Sequence, residues 1–213
     1  MEIANARTSC SRRRFAARAA ALAALPVCTA LPVPRVKSET MPAAPHLIDD
    51  ASADDLTAAT GTKWRLVTDQ VMGGVSEARV RRTTVAGRQA VHLTGDVSLA
   101  NNGGFVQTTL DLRPDGGAVD ARAWTGIELT VLGNGETYNL HLRTTDIRRP
   151  WQSYRQSFPT TDDWRTVRLP FDDFEAHRID APLDLGRLKR IGLVAIGREF
   201  RADLAVADLR FYA

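Results

Sequence analysis

From residue 62 onward the sequence predicts an all-β chain, folded as a two-sheet sandwich or jelly roll of about ten strands. Three observations carry this. Apolar residues alternate with polar ones instead of recurring at helical spacing. Turn chemistry at Ala86-Gly87, Asp115-Gly116-Gly117, Gly133-Asn134-Gly135-Glu136 and Asp162-Asp163 interrupts the alternation at short intervals. No repeat with a period of about 20–50 residues is present, which argues against a propeller or solenoid.

Taken in order, the candidate strands are 64–69, 77–84, 89–95, 104–112, 125–132, 137–144, 151–158, 164–170, 188–197 and 203–212. The clearest is Tyr138-Asn139-Leu140-His141-Leu142-Arg143, with Tyr138, Leu140 and Leu142 on one face and Asn139, His141 and Arg143 on the other. Ile127-Glu128-Leu129-Thr130-Val131 alternates in the same way, and the Asn134-Gly135 turn between the two runs predicts that they pair as a hairpin. Ile191-Gly192-Leu193-Val194-Ala195-Ile196 is continuously apolar, as in a strand covered on both faces. The segment 171–187 breaks the pattern, with a helical turn expected from Phe171-Asp172-Asp173-Phe174.

The chain has 213 residues, 44% of them AVILMFWYC and 25% charged, with 15 Gly and 10 Pro. This is the composition of a folded domain with a sizeable core, and it excludes collagen-like or wholly disordered chains. The net charge of +3 comes from the N-terminus, where residues 1–30 hold Arg7, Arg12, Arg13, Arg14 and Arg18 against Glu2. The other 183 residues carry 23 basic and 24 acidic groups. A domain so close to neutral gives no support to a nucleic-acid-binding role.

Ser11-Arg12-Arg13-Arg14-Phe15 precedes an Ala/Leu-rich run through Leu25, and Ser-Arg-Arg-x-Phe resembles the twin-arginine export motif of bacteria. Residues 1–30 are therefore expected to be an export signal, cleaved after Ala30 or acylated at Cys28. That places the mature protein in the periplasm or cell envelope, with no membrane span. A mitochondrial transit peptide is the alternative. Residues 31–61, rich in Pro, Ala and Asp, read as a linker with a short helix around 54–60, and residues 62–213 as a single domain.

The search for chemistry returns mainly negatives. No phosphate loop, no Gly-x-Ser-x-Gly elbow and no His-Glu-x-x-His occurs. His46, His92, His141 and His177 are scattered, so no metal or other cofactor is expected. Asp162-Asp163 and Asp172-Asp173 read as turn acids, because neighbours on a strand point to opposite faces. Arg79 and Arg81 read as a solvated strand face. Asn139, His141 and Arg143 form a polar row which, with Trp151 and Tyr154 as aromatic platforms, would suit a carbohydrate.

Two glycine-rich segments are more specific. Asp69-Gln70-Val71-Met72-Gly73-Gly74-Val75-Ser76 and Asn101-Asn102-Gly103-Gly104-Phe105 supply residues tolerant of positive φ, flanked by side chains able to bond the backbone. Asp69, Ser76, Asn101 and Asn102 are candidates either for contact with a partner or for stitching these loops together.

The first segment, led in by Trp64, resembles the signature of the complex I intermediate-associated protein 30 family. Gly95-Asp96-Val97-Ser98-Leu99-Ala100-Asn101-Asn102-Gly103-Gly104-Phe105 resembles the family's second block, and Trp124-Thr125-Gly126-Ile127 through Gly133-Asn134-Gly135-Glu136-Thr137-Tyr138 its third. Tyr154, Phe158, Trp164, Leu169-Pro170-Phe171 and Phe174 follow in the order of the fourth, and residues 191–197 look like the closing strand. At the final turn Phe200-Arg201-Ala202-Asp203-Leu204 departs from the family's Gly-x-Phe-x-Leu. The resemblance spans about residues 62–212. It implies a galactose-binding-like jelly-roll sandwich, no catalytic residues, and an assembly-factor role with a protein partner. The expected function is a non-catalytic binding or assembly module in the envelope. The alternative is a carbohydrate-binding module, and an enzyme using Asp69 or Asp96 ranks last.

Overall fold

The computed structural model describes residues 46–213. The expected export signal, Cys28 and the first part of the expected linker lie outside these residues. Twelve strands are present among them: β1 (His46–Asp49), β2 (Arg65–Thr68), β3 (Glu77–Val85), β4 (Arg88–Val97), β5 (Phe105–Asp111), β6 (Gly126–Gly133), β7 (Thr137–Thr144), β8 (Ser153–Pro159), β9 (Arg165–Pro170), β10 (Glu175–His177), β11 (Leu188–Ile196) and β12 (Phe200–Tyr212). They form two six-stranded antiparallel sheets. The first runs β3-β4-β12-β6-β9 and the second β10-β8-β7-β11-β5-β2. The 13-residue β12 pairs with β6 on one side; on the other it pairs first with β4 and then, beyond the end of β4, with β1.

Alternation places the core between the sheets. Ile127, Leu129 and Val131 of β6, Leu204 and Leu209 of β12, Tyr138, Leu140 and Leu142 of β7, and Ile191 and Leu193 of β11 are all buried. Each such aliphatic side chain contributes about 1.5–3 kcal/mol relative to exposure. The core also holds a polar tie: the Tyr138 hydroxyl accepts from the Asp203 amide of the opposite sheet at 2.8 Å and donates to Asn134 Oδ1 at 2.8 Å. Burial pushes this phenol up to about 12.

Three expectations need correction. First, β6 and β7 do not pair, because β6 lies in the first sheet and β7 in the second. The Asn134-Gly135 turn, with Gly135 at φ 82°, carries the chain across the sandwich. Asn134 Nδ2 anchors it by donating to the Arg201 carbonyl at 2.7 Å. A turn signal says that the chain reverses, but not whether the two strands meet edge to edge or face to face. Here both have an apolar face, and those faces meet across the core.

Second, residues 46–61 are not a linker. β1 joins the first sheet, Ile48, Ala51 and Ala58 are buried, and His46 stacks on Trp124 with centroids 5.4 Å apart. The Asp49 carboxylate is buried, accepting from Trp64 Nε1 at 2.7 Å and pairing with the Arg82 guanidinium at 3.2 Å. Arg82 also donates to the carbonyls of Asp55 and Thr57, both at 2.9 Å. The helix expected around 54–60 is absent, and the segment instead forms turns held by Arg82 and a Thr57–Lys63 bridge.

Third, the segment 171–187 holds a strand that was not expected: the expected helical turn is present as a 3-10 turn at Phe171–Asp173, and β10 follows it on the outer edge of the second sheet.

Candidate functional site

Two surfaces deserve description, one built by the glycine-rich loops and one by the outer face of the second sheet.

The glycine loops converge on Asp69, which is fully buried at the start of a 3-10 turn. Its Oδ1 accepts from the Ser76 amide at 2.9 Å, and its Oδ2 accepts from the Ser76 hydroxyl at 2.5 Å and the Gly104 amide at 2.6 Å. Ser76 Oγ in turn accepts from the Ser98 amide at 2.9 Å. A Cβ on Gly74 would overlap the Asp69 carboxyl carbon, and one on Gly103 would overlap its Oδ2, so both glycines are required by close approach. Burial alone would raise the Asp69 carboxyl; the hydrogen bonds from Ser76, Gly104 and Phe105 outweigh it and hold the group below the ordinary carboxylate range. Asp69 and Ser76 therefore stitch the two loops together, and neither presents a surface to a partner. Asn101 and Asn102 are exposed, in left-handed backbone conformation at φ 56° and 57°, which asparagine tolerates better than most residues.

On this stitched base stand four apolar side chains: Val71 is 74% exposed, Met72 62%, Val75 46% and Leu99 48%. Val71, Met72 and Val75 come from the first loop. Leu99 comes from the second, where its side chain lies against Gly104. The signal for them in the sequence is large apolar residues inside glycine-rich loops, where an exposed position costs the fold nothing.

The second surface is the outer face of β10, β8, β7, β11 and β5. Asn139, His141 and Arg143 do lie together on it. Asn139 accepts from Ser157 Oγ at 3.1 Å, and Arg143 donates to the carbonyls of Arg149 at 3.0 Å and Pro150 at 3.3 Å. His141 is only 8% exposed. Register brings Arg155 of β8 opposite it on one side and Gly192 of β11 on the other. Sequence reasoning missed Arg155, His177, Arg190 and Gly192, although the alternation of Ser153, Arg155 and Ser157 was open to the same reading as β7.

Trp151 is half-exposed beyond the end of β7, with the Arg149 guanidinium 5.7 Å from its ring centre. Tyr154 does not join it. Tyr154 points inward from β8, is buried, and its hydroxyl donates to the Pro182 and Ala181 carbonyls at 2.9 and 3.0 Å. The expected aromatic pair fails because the two residues lie three apart on a segment that enters the strand only at Ser153. Tyr154 instead lines a cavity of about 290 Å³ with Phe171, Phe174, Ala176, Pro182 and Leu183. The paired acids Asp162-Asp163 and Asp172-Asp173 are exposed on turns. Among the described residues, no group of three or more His, Cys, Asp or Glu is placed to hold a metal ion, and no helix is long and apolar enough to cross a membrane.

Comparison with known proteins places this geometry. The family model for Complex I intermediate-associated protein 30 (CIA30) matches residues 54–206. A search of curated proteins returned no match. Among solved structures, the chain is similar to the family 11 carbohydrate-binding module of the Clostridium thermocellum cellulase Lic26A-Cel5E, at 12% identity and TM-score 0.62, covering 80% of this chain and 95% of that one. The Clostridium thermocellum family 11 module in complex with a β-1,3-1,4-mixed-linked tetrasaccharide gives 13% identity and TM-score 0.60, over 79% and 95%. A family 30 carbohydrate-binding module gives 16% identity and TM-score 0.50, over 66% and 92%. At such identities these likenesses establish the fold, a galactose-binding-like jelly-roll sandwich.

Proposed function

The chain belongs to the complex I intermediate-associated protein 30 family, and from that premise we propose that it is a non-catalytic binding module of the assembly-factor type, acting on a protein partner in the bacterial envelope. One observation carries the reading: Val71, Met72, Val75 and Leu99 stand exposed on two loops locked together through Asp69. Exposed apolar side chains grouped on a rigid base lose little conformational entropy on docking and gain by leaving water. The envelope location rests on Ser11-Arg12-Arg13-Arg14-Phe15 and the apolar run after it.

The test is site-specific photo-crosslinking in the native host, with a crosslinking amino acid at Met72 in one strain and at Arg79, on the exposed face of β3, in another. The expected result is a discrete adduct from position 72 that position 79 does not give. Equal labelling from both positions, or none from position 72, contradicts the proposal. Cell fractionation of an Arg12→Lys/Arg13→Lys variant checks the location, with retention in the cytoplasm as the expected outcome.

A second reading is favoured by one observation. The outer face of the second sheet gathers Asn139, His141 and Arg143, with Trp151 near one end, and a solved module of the same fold is in complex with a tetrasaccharide. On that reading the chain binds carbohydrate across this face.

A further inference from the structure

The outer face of the second sheet has an unbalanced charge. Arg155 lies opposite His141 on the neighbouring strand, a separation of about 5 Å between Cβ atoms. Arg143 is two residues along β7 from His141, about 7 Å away on the same face. Ser153 of β8 and His177 of β10 are also opposite one another. Two arginines and two histidines thus share one stretch of three strands.

The acids nearby do not neutralise them. Asp111 of β5 is held by Arg190 of β11 at 2.6 Å and by Arg65 of β2. Glu175 of β10 is opposite Arg155 in register, yet it is exposed and forms no ion pair among the described residues. Among the described residues, no carboxylate is within ion-pair distance of Arg143 or Arg155. Arg155 spends one of its five N–H groups, donating to Ser153 Oγ at 2.9 Å. Arg143 spends two on backbone carbonyls. Both side chains are half-buried, where a guanidinium without a counter-charge is costly. Between them His141 is more than nine-tenths buried, and its Nε2 has no hydrogen-bond partner among the described residues. Gly192 on the other side adds no side chain to cover it.

We propose that this face is a binding site for an oxyanion, the carboxylate or phosphate group of a small molecule or saccharide, held by Arg155 and Arg143 with His141 Nε2 at its floor. Guanidinium groups match a two-oxygen face in bidentate fashion, and a neutral imidazole can donate the remaining hydrogen bond. Burial, followed by the charges of Arg155, His177 and Arg143, pushes the imidazole down to about 3, so it is neutral in the free protein. The site is separate from the apolar loops and does not rest on the protein-partner reading.

The experiment is calorimetric titration of the full chain at low ionic strength with inorganic phosphate, sodium glucuronate and glucose, run on the wild type and on Arg155→Gln, Arg143→Gln and Arg79→Gln. Phosphate or glucuronate is expected to bind and glucose not. Phosphate alone assigns the site to phosphate groups, and glucuronate alone to carboxylates. Arg155→Gln and Arg143→Gln should each weaken binding by at least about tenfold, the loss of a charge-assisted contact, while Arg79→Gln leaves it unchanged. Binding of glucose as tight as glucuronate overturns the proposal in favour of a neutral carbohydrate surface. Failure of both anions to bind, or full affinity in both folded site variants, also overturns it. The wild-type comparison of glucuronate with glucose decides the matter even if a variant does not fold.

Discussion

Asp69 accepts from Ser76 twice, from its amide at 2.9 Å and from its hydroxyl at 2.5 Å. That pair closes the first glycine loop, and the Gly104 amide on the same carboxylate ties the second loop to it. Removing the carboxylate leaves these donors buried without an acceptor, at about 1–3 kcal/mol for each group. Asp69→Ala is expected to lower the melting temperature by many degrees, and Asp69→Asn by less. The same carboxylate makes stability acid-sensitive. Its folded-state value lies below the ordinary 3.8, so its contribution is complete above about pH 4 and is lost as pH falls through the folded value. Thermal melts between pH 2 and 7 should show a shallower acid loss in Asp69→Asn than in the wild type.

The buried Arg82–Asp49 pair gives a second expectation. Arg82→Leu leaves Asp49 inside with only its neutral donors, and breaking such a pair by removing one partner costs about 3–5 kcal/mol. A chain shortened to begin at residue 62 loses Asp49 and strands Arg82 in the same way, besides exposing the β12 edge that β1 covers. It should melt well below a chain beginning at residue 40. Equal melting temperatures would mean that β1 adds nothing to the domain.

Much of this architecture was legible in the sequence, and the gaps have physical causes. Ten strands were readable: alternation over eight residues, as in β7, has no helical counterpart, and turn residues bounded the shorter runs such as β2 and β9. β1 was not: four residues after a proline, with only Ile48 and Asp49 turned inward, carry too little pattern to tell a strand from a linker. The β6–β7 turn was read correctly as a reversal but in the wrong plane, because turn chemistry is local while the choice of sheet is made by β12, far along the chain. Asp69 was picked out beside the glycines, but whether it faced a partner or the loop depended on the Gly104 amide 35 residues away. The oxyanion face was half legible: β7 supplied His141 and Arg143, while Arg155 came into play only through strand register.

His141 provides a test of the second sheet's electrostatics. The unfolded chain binds a proton near the ordinary 6.5, while the folded imidazole, pushed down to about 3, does not. Stability must therefore rise with pH across this interval and fall on acidification, by at most about 1.4 kcal/mol per pH unit from this group. His177, also shifted downward, adds in the same direction. Melting temperature plotted against pH from 4 to 7 should flatten in His141→Gln.

The central claim is that the exposed apolar residues on the stitched loops form the partner surface, and Met72→Asp/Leu99→Asp tests it most directly. Met72 is mostly and Leu99 about half in water, so the double variant should keep the wild-type stability to within about 0.5 kcal/mol per site. Tagged full-length wild type and double variant, expressed at equal levels in the native host, are isolated side by side and their co-purifying proteins quantified. A protein that accompanies the wild type and is depleted at least about tenfold with the equally stable variant, a loss of about 1.4 kcal/mol or more, is the predicted result. The same proteins in the same amounts with both would contradict it.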